Sequence, residues 1–303
     1  MSSRWYLCGA GSSTHPIKAG YLFKAGLSKL SFLSRKVFVR LALWLVFSVI
    51  AWVLSSAMPV HADITSGINW LSSQSQPDGS LQNTNSLVLP YPATNEAVRA
   101  LTLLNAAPSV RTTAGSYLLN DLLNNTENLS RRIVLGALSA QDTSIWVNEL
   151  MSREALRGGV GEFTGFDTTL LDTAYTLESL AQVGKIRSTM AQHAITYIKQ
   201  QQNADGGWPL NNGSNESSIS VTALMLKSLA AYRTDYSLET SVAIATSYLL
   251  NKRGGNNLWP ETYLSAQSLI ALIHNLDTTV SIDNSLTALA SQQSSDGSWN
   301  GDV

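Results

Sequence analysis

The chain has 303 residues, 44% hydrophobic and 14% charged, with a formal net charge of −1 and a single cysteine, Cys8. One cysteine excludes an internal disulfide scaffold and a thiolate metal cage. The overall charge hides an asymmetry: residues 1–62 carry seven Lys/Arg and no acid, so residues 63–303 hold 13 basic against 21 acidic side chains, a net charge of −8. A domain this acidic lacks the Lys/Arg surplus that neutralises phosphates, which argues against nucleic acid as a partner.

The basic residues Arg4, Lys18, Lys24, Lys29, Arg35, Lys36 and Arg40 precede an uncharged run from Leu41 to Leu54, and Val60-His61-Ala62 follows with small residues at −3 and −1. That order predicts a signal peptide over residues 1–62 with a long basic n-region. Cleavage before Asp63 would leave a secreted or periplasmic domain of residues 63–303. The alternative is an uncleaved anchor, because residues 41–58 approach the ~20 apolar residues that span a bilayer. Membrane contact is expected only in that case.

Apolar spacing then predicts a series of helices. The first runs from Ile64 to Gln74 and stops at Pro77-Asp78-Gly79. A second is capped near Thr94 or Asn95, buries Ala97, Leu101 and Leu104, and is closed by Pro108. Ala114–Leu123, Ser130–Leu138 and Ser144–Leu156 follow, then segments at about 167–183, 188–202, 217–231, 240–251, 262–275 and 281–293.

These helices repeat. Ile195–Trp208 (ITYIKQQQNADGGW) aligns with Leu286–Trp299 (LTALASQQSSDGSW), and Ile68–Leu81 (INWLSSQSQPDGSL) keeps the Gln, Asp and Gly with Leu81 in the Trp place. Gly159-Val160-Gly161-Glu162-Phe163 stands where the other copies turn, with Phe163 in the Trp place. The helices after each turn share a second signature: Asp172-Thr173-Ala174 with Leu180, Val221-Thr222-Ala223 with Leu229, Leu264-Ser265-Ala266 with Leu272, and Asn95-Glu96-Ala97 with Leu103. Small residues let helices approach, so these are inner helices, and the more polar helices ending in Gln-Gln are outer ones. The fold expected is all-α, either an α/α toroid of inner and outer helix pairs or an open α-solenoid.

The repeated turn has a structural use. A helix end leaves four carbonyls without partners; Gln can reach those carbonyls or nearby amides, Gly takes the reversal, and an indole packed over the Gln shields the bonds. Gln202, Asp205, Gly206, Trp208, Trp259, Gln293, Asp296, Gly297 and Trp299 are therefore assigned to structural turns.

Gln202-x3-Gly206-x-Trp208 and Gln293-x3-Gly297-x-Trp299 resemble the QW motif of squalene-hopene cyclases and the wider prenyltransferase/squalene-oxidase repeat superfamily. Gln74 to Gly79 matches with Leu81 for the Trp, and Asn256-Asn257-Leu258-Trp259 keeps only the Trp. The resemblance implies a toroid of six inner helices ringed by six outer ones. It also implies where chemistry would sit. Class II cyclases of this type carry Asp-x-Asp-Asp-Thr-Ala at the head of an inner helix; here the matching stretch is Thr169-Leu170-Leu171-Asp172-Thr173-Ala174, with Leu171 in the place of the proton-donating acid. The zinc ligands of protein prenyltransferases and the Cys-containing loop of thioester domains are missing from residues 63–303. No cofactor or metal is expected.

The remaining acids are weak catalytic candidates: Glu162, Asp167 and Asp172 near the start of one inner helix, as a carboxylate pair would require. Asp167 also suits the positive end of that helix. His193 reads as outer-helix surface and His274 as a helix C-terminal cation. These features predict a binding or structural module whose ligand is a peptide, a glycan or an apolar molecule, met by loops 82–92 and 209–217. The rival is a lyase or cyclase acting on an isoprenoid or polysaccharide. Asn300-Gly301-Asp302-Val303 stands where another inner helix is due, so either the protein continues beyond Val303 or the ring lacks its closing helix.

Overall fold

The computed structural model describes residues 63–82, 89–120, 123–156, 158–275 and 281–299. The predicted signal segment, residues 83–88 of the first loop and residues 300–303 lie outside them. Among the described residues eleven α-helices alternate between two layers. The outer ones are α1 (Ile64–Ser73), α3 (Pro108–Asn120), α5 (Ser144–Met151), α7 (Thr189–Gln200), α9 (Glu239–Asn251) and α11 (Asp283–Ala290); the inner ones are α2 (Pro90–Leu103), α4 (Thr126–Leu138), α6 (Leu170–Gln182), α8 (Ile219–Leu229) and α10 (Thr262–Asn275). Two antiparallel two-residue pairs, β1 (Val160–Gly161) with β2 (Thr168–Thr169) and β3 (Trp208–Pro209) with β4 (Ser217–Ser218), lead from a turn into α6 and α8. The protein is all-α in substance.

Inner helices pack side by side in the order α2, α4, α6, α8, α10, and the outer helices α3, α5, α7, α9 and α11 each pack on an inner neighbour. The main core lies between α6, α8 and α10 and the outer α7 and α9, around Leu177, Leu180, Met190, Ile198, Trp208, Met225 and Leu272. Burying such side chains contributes about 1.5–3 kcal/mol each. A smaller core forms around Leu81, Val98, Leu101, Ala114 and Leu118.

The outer layer closes on itself. The Asp63 N–H donates to Gln293 Oε1 at 2.7 Å, and Gln293 Nε2 donates back to the Asp63 carbonyl at 3.1 Å. The first helix thus docks on the last turn, a contact that an open solenoid would not make.

Several expected boundaries move. Pro108 opens α3 rather than closing α2, as its fixed φ and missing N–H allow in a first turn. Helix α2 begins at Pro90, so Thr94 and Asn95 are buried inside it instead of capping it, and Leu104 is exposed. Helix α4 begins at Thr126, capped by the Asn125 side chain, and α5 stops at Met151 with Leu156 exposed beyond it.

Candidate functional site

Four turns enter inner helices through the same hydrogen bond. A hydroxyl inside the inner helix accepts the backbone N–H of the residue in the Trp place: Thr94 from Leu81 at 2.8 Å, Thr173 from Val160 at 3.0 Å, Thr222 from Trp208 at 2.9 Å, and Ser265 from Trp259 at 3.0 Å. These bonds correct two expected alignments. Val160, fully buried, holds the Trp place, while Phe163 lies beyond it and is 39% exposed. Thr94, not Glu96, matches Thr173, so the paired leucine is Leu101; Leu103 is 88% exposed.

The Gln and Trp have separate partners. The indole N–H of Trp208 donates to Ile198 O at 2.8 Å, that of Trp259 to Leu249 O at 2.9 Å, and that of Trp299 to Leu289 O at 2.9 Å, each satisfying a carbonyl in the last turn of the preceding outer helix. Gln202 Nε2 donates to Gly206 O and to Ser241 O, and its Oε1 accepts from the Ser241 hydroxyl, so it ties one outer helix to the next. Gln293 does the same to Asp63. Asp205, Asp78, Asp296 and Asn256 each accept the N–H two residues on, an Asx turn. Gly206 and Gly297 sit at φ +91°, and a Cβ there would stand 2.6 Å from Ile244 O at Gly206 and collide with Ser66 O at Gly297.

Backbone bonds around the turns also show which residue stands in the Gln place elsewhere. Gln76 N–H donates to Ser80 O as Asn203 does to Gly207 O, which puts Ser75 rather than Gln74 over Gln202. Ala155 to Gly159 puts Glu154 there, and Gly254 to Leu258 puts Arg253 there. Glu154 pairs with His193 Nδ1 at 2.5 Å, and Arg253 donates to the Ser285 hydroxyl at 3.2 Å. Three different side chains thus perform the tie to the following outer helix.

The hydroxyl register also sorts the side chains that face the centre. Two residues after each hydroxyl come Glu96, Tyr175, Leu224 and Gln267, with Arg131 at the matching place in α4. Five residues after it come Arg99, Glu178, Lys227 and Ile270, with Val134 in α4. These rows form a network. Arg131 pairs with Glu96 and with Glu127 (2.9 Å), donates to Tyr175 Oη at 3.0 Å, and lies 4.7 Å over the Tyr175 ring. Glu178 pairs with Arg99 at 2.5 Å and Lys227 at 3.1 Å. Burial alone would raise the Glu178 carboxyl, but Lys227 and Arg99 outweigh it and hold it at about 2. Glu96 is likewise held below the ordinary range against burial by Arg131, Arg99 and Lys227, although its side chain is 54% exposed.

No family model matches the chain, and no curated protein matches it. Among solved structures it is similar to a protein from Actinoplanes (17% identity, TM-score 0.61, 78% of this chain and 81% of that one). It is also similar to the type II terpene cyclase MstE from Scytonema, both as a variant in complex with geranylgeranyl dihydroxybenzoate (16% identity, TM-score 0.60, 78% and 80%) and as the apo enzyme (15%, 0.58, 78% and 80%). The fold is terpene cyclase-like.

Within this cyclase-like fold the three candidate acids part company. Asp172 is buried in the first turn of α6, where its Oδ2 accepts from the Thr169 hydroxyl at 2.7 Å and Thr169 Oγ1 accepts the Asp172 N–H at 3.0 Å. Burial raises its carboxyl, the Thr169 bond opposes this, and the charges of Glu162 and Glu127 add to the rise. Glu162 and Asp167 are exposed. Asp167 lies two residues before Thr169, whose side chain caps α6, and the acid within the first turn is Asp172. Leu171 heads α6 between Leu170 and Asp172, and His274 is exposed in the last turn of α10. The mouth thus holds one buried carboxyl with a raised proton affinity and two wet ones, and among the described residues no group of His, Cys, Asp and Glu could hold a metal ion. The inward-facing ion pairs escaped sequence reading; the signal that would have found them is the spacing of two and five residues after each Thr/Ser hydroxyl.

Proposed function

We propose that this cyclase-like domain is an exported binding module of the QW-motif repeat type that holds a polar ligand, a peptide or a glycan, in the hollow of its inner helices and does not protonate an isoprenoid. The observation that supports this most is the inner wall itself. Glu96, Arg99, Glu127, Arg131, Glu178 and Lys227 occupy it as hydrogen-bonded charges. Seating an apolar chain there would desolvate charges without replacing their water, which is costly, whereas hydroxyls and amides can join the network. Leu171 at the place where the resemblance puts the acid has no proton to give.

One observation favours an enzymatic reading: Asp172 combines burial with a raised pKa beside Glu162, the pattern of a general acid. The test is incubation of the purified protein with squalene, prenyl diphosphates and a glycan and peptide panel. The binding reading predicts saturable binding of a polar ligand and no product. Turnover that Asp172→Asn abolishes would overturn it in favour of a lyase or cyclase.

A further inference from the structure

We infer that the cleft where α2 and α4 end against the first turns of α3 is a binding site for a small organic monocarboxylate, with its carboxylate on the Arg111 guanidinium and its hydrocarbon part against Val98, Leu135 and Leu138. This goes beyond the binding reading of the charged inner rows and does not depend on it. The cleft has a volume of about 320 Å³, at the lower end of the range for small-molecule sites. Val98 and Leu135 are buried in its wall, and Leu138 lines it while 47% exposed.

Two residues of α3 point to an anion. Arg99, Arg131, Arg153 and Arg187 each pair with a carboxylate. Arg111, which lines the cleft, makes no ion pair among the described residues; its Nη2 donates to Asn105 Oδ1 at 3.5 Å, and its Nε is buried without an acceptor. A guanidinium partly withdrawn from water and not neutralised is destabilising until an anion meets it. Residues 1–62 contain no acid, so that segment brings no side-chain carboxylate to Arg111. Gly115 follows Arg111 by one turn on the same face of α3. Glycine inside a helix is destabilising relative to alanine. Neither a positive φ nor a close neighbour requires it here, since a Cβ at Gly115 would meet nothing within 4 Å. Helical side chains lean toward the N-terminus, so a larger residue at 115 would lie over the Arg111 turn. Glycine keeps that space open.

The rest of the lining selects the kind of anion. The Thr102 and Thr112 hydroxyls already donate to Val98 O at 2.7 Å and Pro108 O at 3.0 Å, and Pro108, the first residue of α3, has no N–H. Thr102 and Leu138 stand in the last turns of α2 and α4, which bring the negative ends of two helices to the same cleft. A dianionic phosphate would find too few donors there and would meet those ends. A carboxylate needs only the one guanidinium, which it can match with two parallel hydrogen bonds, and a hydrocarbon part gains from the apolar wall.

The test is a titration of the full-length protein with hexanoate, hexan-1-ol and inorganic phosphate, followed by nitrogen-15 NMR at the Arg111 Nε–H and the Gly115 amide. Hexanoate should shift both signals saturably, and hexan-1-ol and phosphate should each bind about tenfold or more weakly, about 1.4 kcal/mol. Arg111→Gln should weaken hexanoate by a similar factor and remove its preference over hexan-1-ol. Gly115→Leu should abolish binding with Tm equal to or above that of the parent protein, which separates a filled cleft from a damaged fold. No saturable shift, binding of hexan-1-ol or phosphate as tight as that of hexanoate, or hexanoate binding undiminished in Arg111→Gln or Gly115→Leu overturns the inference.

Discussion

The Trp208 and Trp299 turns begin alike and end differently. In both, a Gln ties two outer helices, an aspartate closes an Asx turn, a glycine stands at φ +91°, and an indole N–H caps a carbonyl ten residues back. Trp208 is then sealed by α8, whose Thr222 accepts its backbone N–H; Trp299 stays 37% exposed. The motif therefore shapes the turn locally, but burial of the turn comes from the inner helix that follows it. The motif is a joint, and its energetic weight depends on the neighbour.

That comparison can be broken most directly by truncating the two indoles. Trp208→Ala should cost about 3–5 kcal/mol in denaturant unfolding, because it empties a fully buried site. Trp299→Ala should cost roughly 1–2 kcal/mol, since much of its area is already wet. Equal costs would mean that the following helix contributes little.

The central network should come next in size. Glu178→Ala leaves Arg99 and Lys227 facing each other without a counter-charge, and about 2–3 kcal/mol is expected, below the 3–5 kcal/mol of a fully buried pair because all three groups touch some water. The same carboxyl has a pH signature. Its folded pKa of about 2 lies below its ordinary value of 4.5, so its contribution is present above about pH 4.5 and is lost as pH falls toward 2. Glu178→Gln should flatten that part of the stability profile.

Smaller again is Thr222→Val, which keeps the shape but strands the Trp208 N–H; about 1–3 kcal/mol follows from leaving a buried donor unpaired. The smallest expected effect has the opposite sign. Asp172 has its pKa raised in the fold, so its contribution is full below its ordinary pKa and is lost as pH rises through the folded value. At pH 7 the charged form is disfavoured, and Asp172→Asn should raise Tm slightly, with the gain shrinking as pH falls to the ordinary aspartate value of 3.8.

The sequence shows the helical alternation and the joints at Gln202–Trp208 and Gln293–Trp299 plainly, because Gly, Asp and Trp at fixed spacing have few other uses. It misplaces the turns where side chains change but backbone bonds persist. Glu154 and Arg253 stand in the Gln place without resembling it, and Val160 replaces an indole with a small apolar group that fills the same buried spot. Leu103 looked like a core leucine because its spacing from Ala97 was right; the register is set instead by Thr94, a hydroxyl whose value lies in one buried hydrogen bond. Of the candidate site, Asp172 was visible as the surviving member of a motif. Glu96, Arg131 and Glu178 were not, since charges on a helix usually mark its solvent face, and only the side-by-side packing of the inner helices brings those faces together as ion pairs.

The most direct measurement is native-state hydrogen exchange at the backbone amides in the Trp place. If joints are made by the hydroxyl of the following inner helix, Leu81, Val160, Trp208 and Trp259 should exchange only through large-scale opening, and Trp299 should exchange far faster. Equal protection at Trp208 and Trp299 would contradict that account.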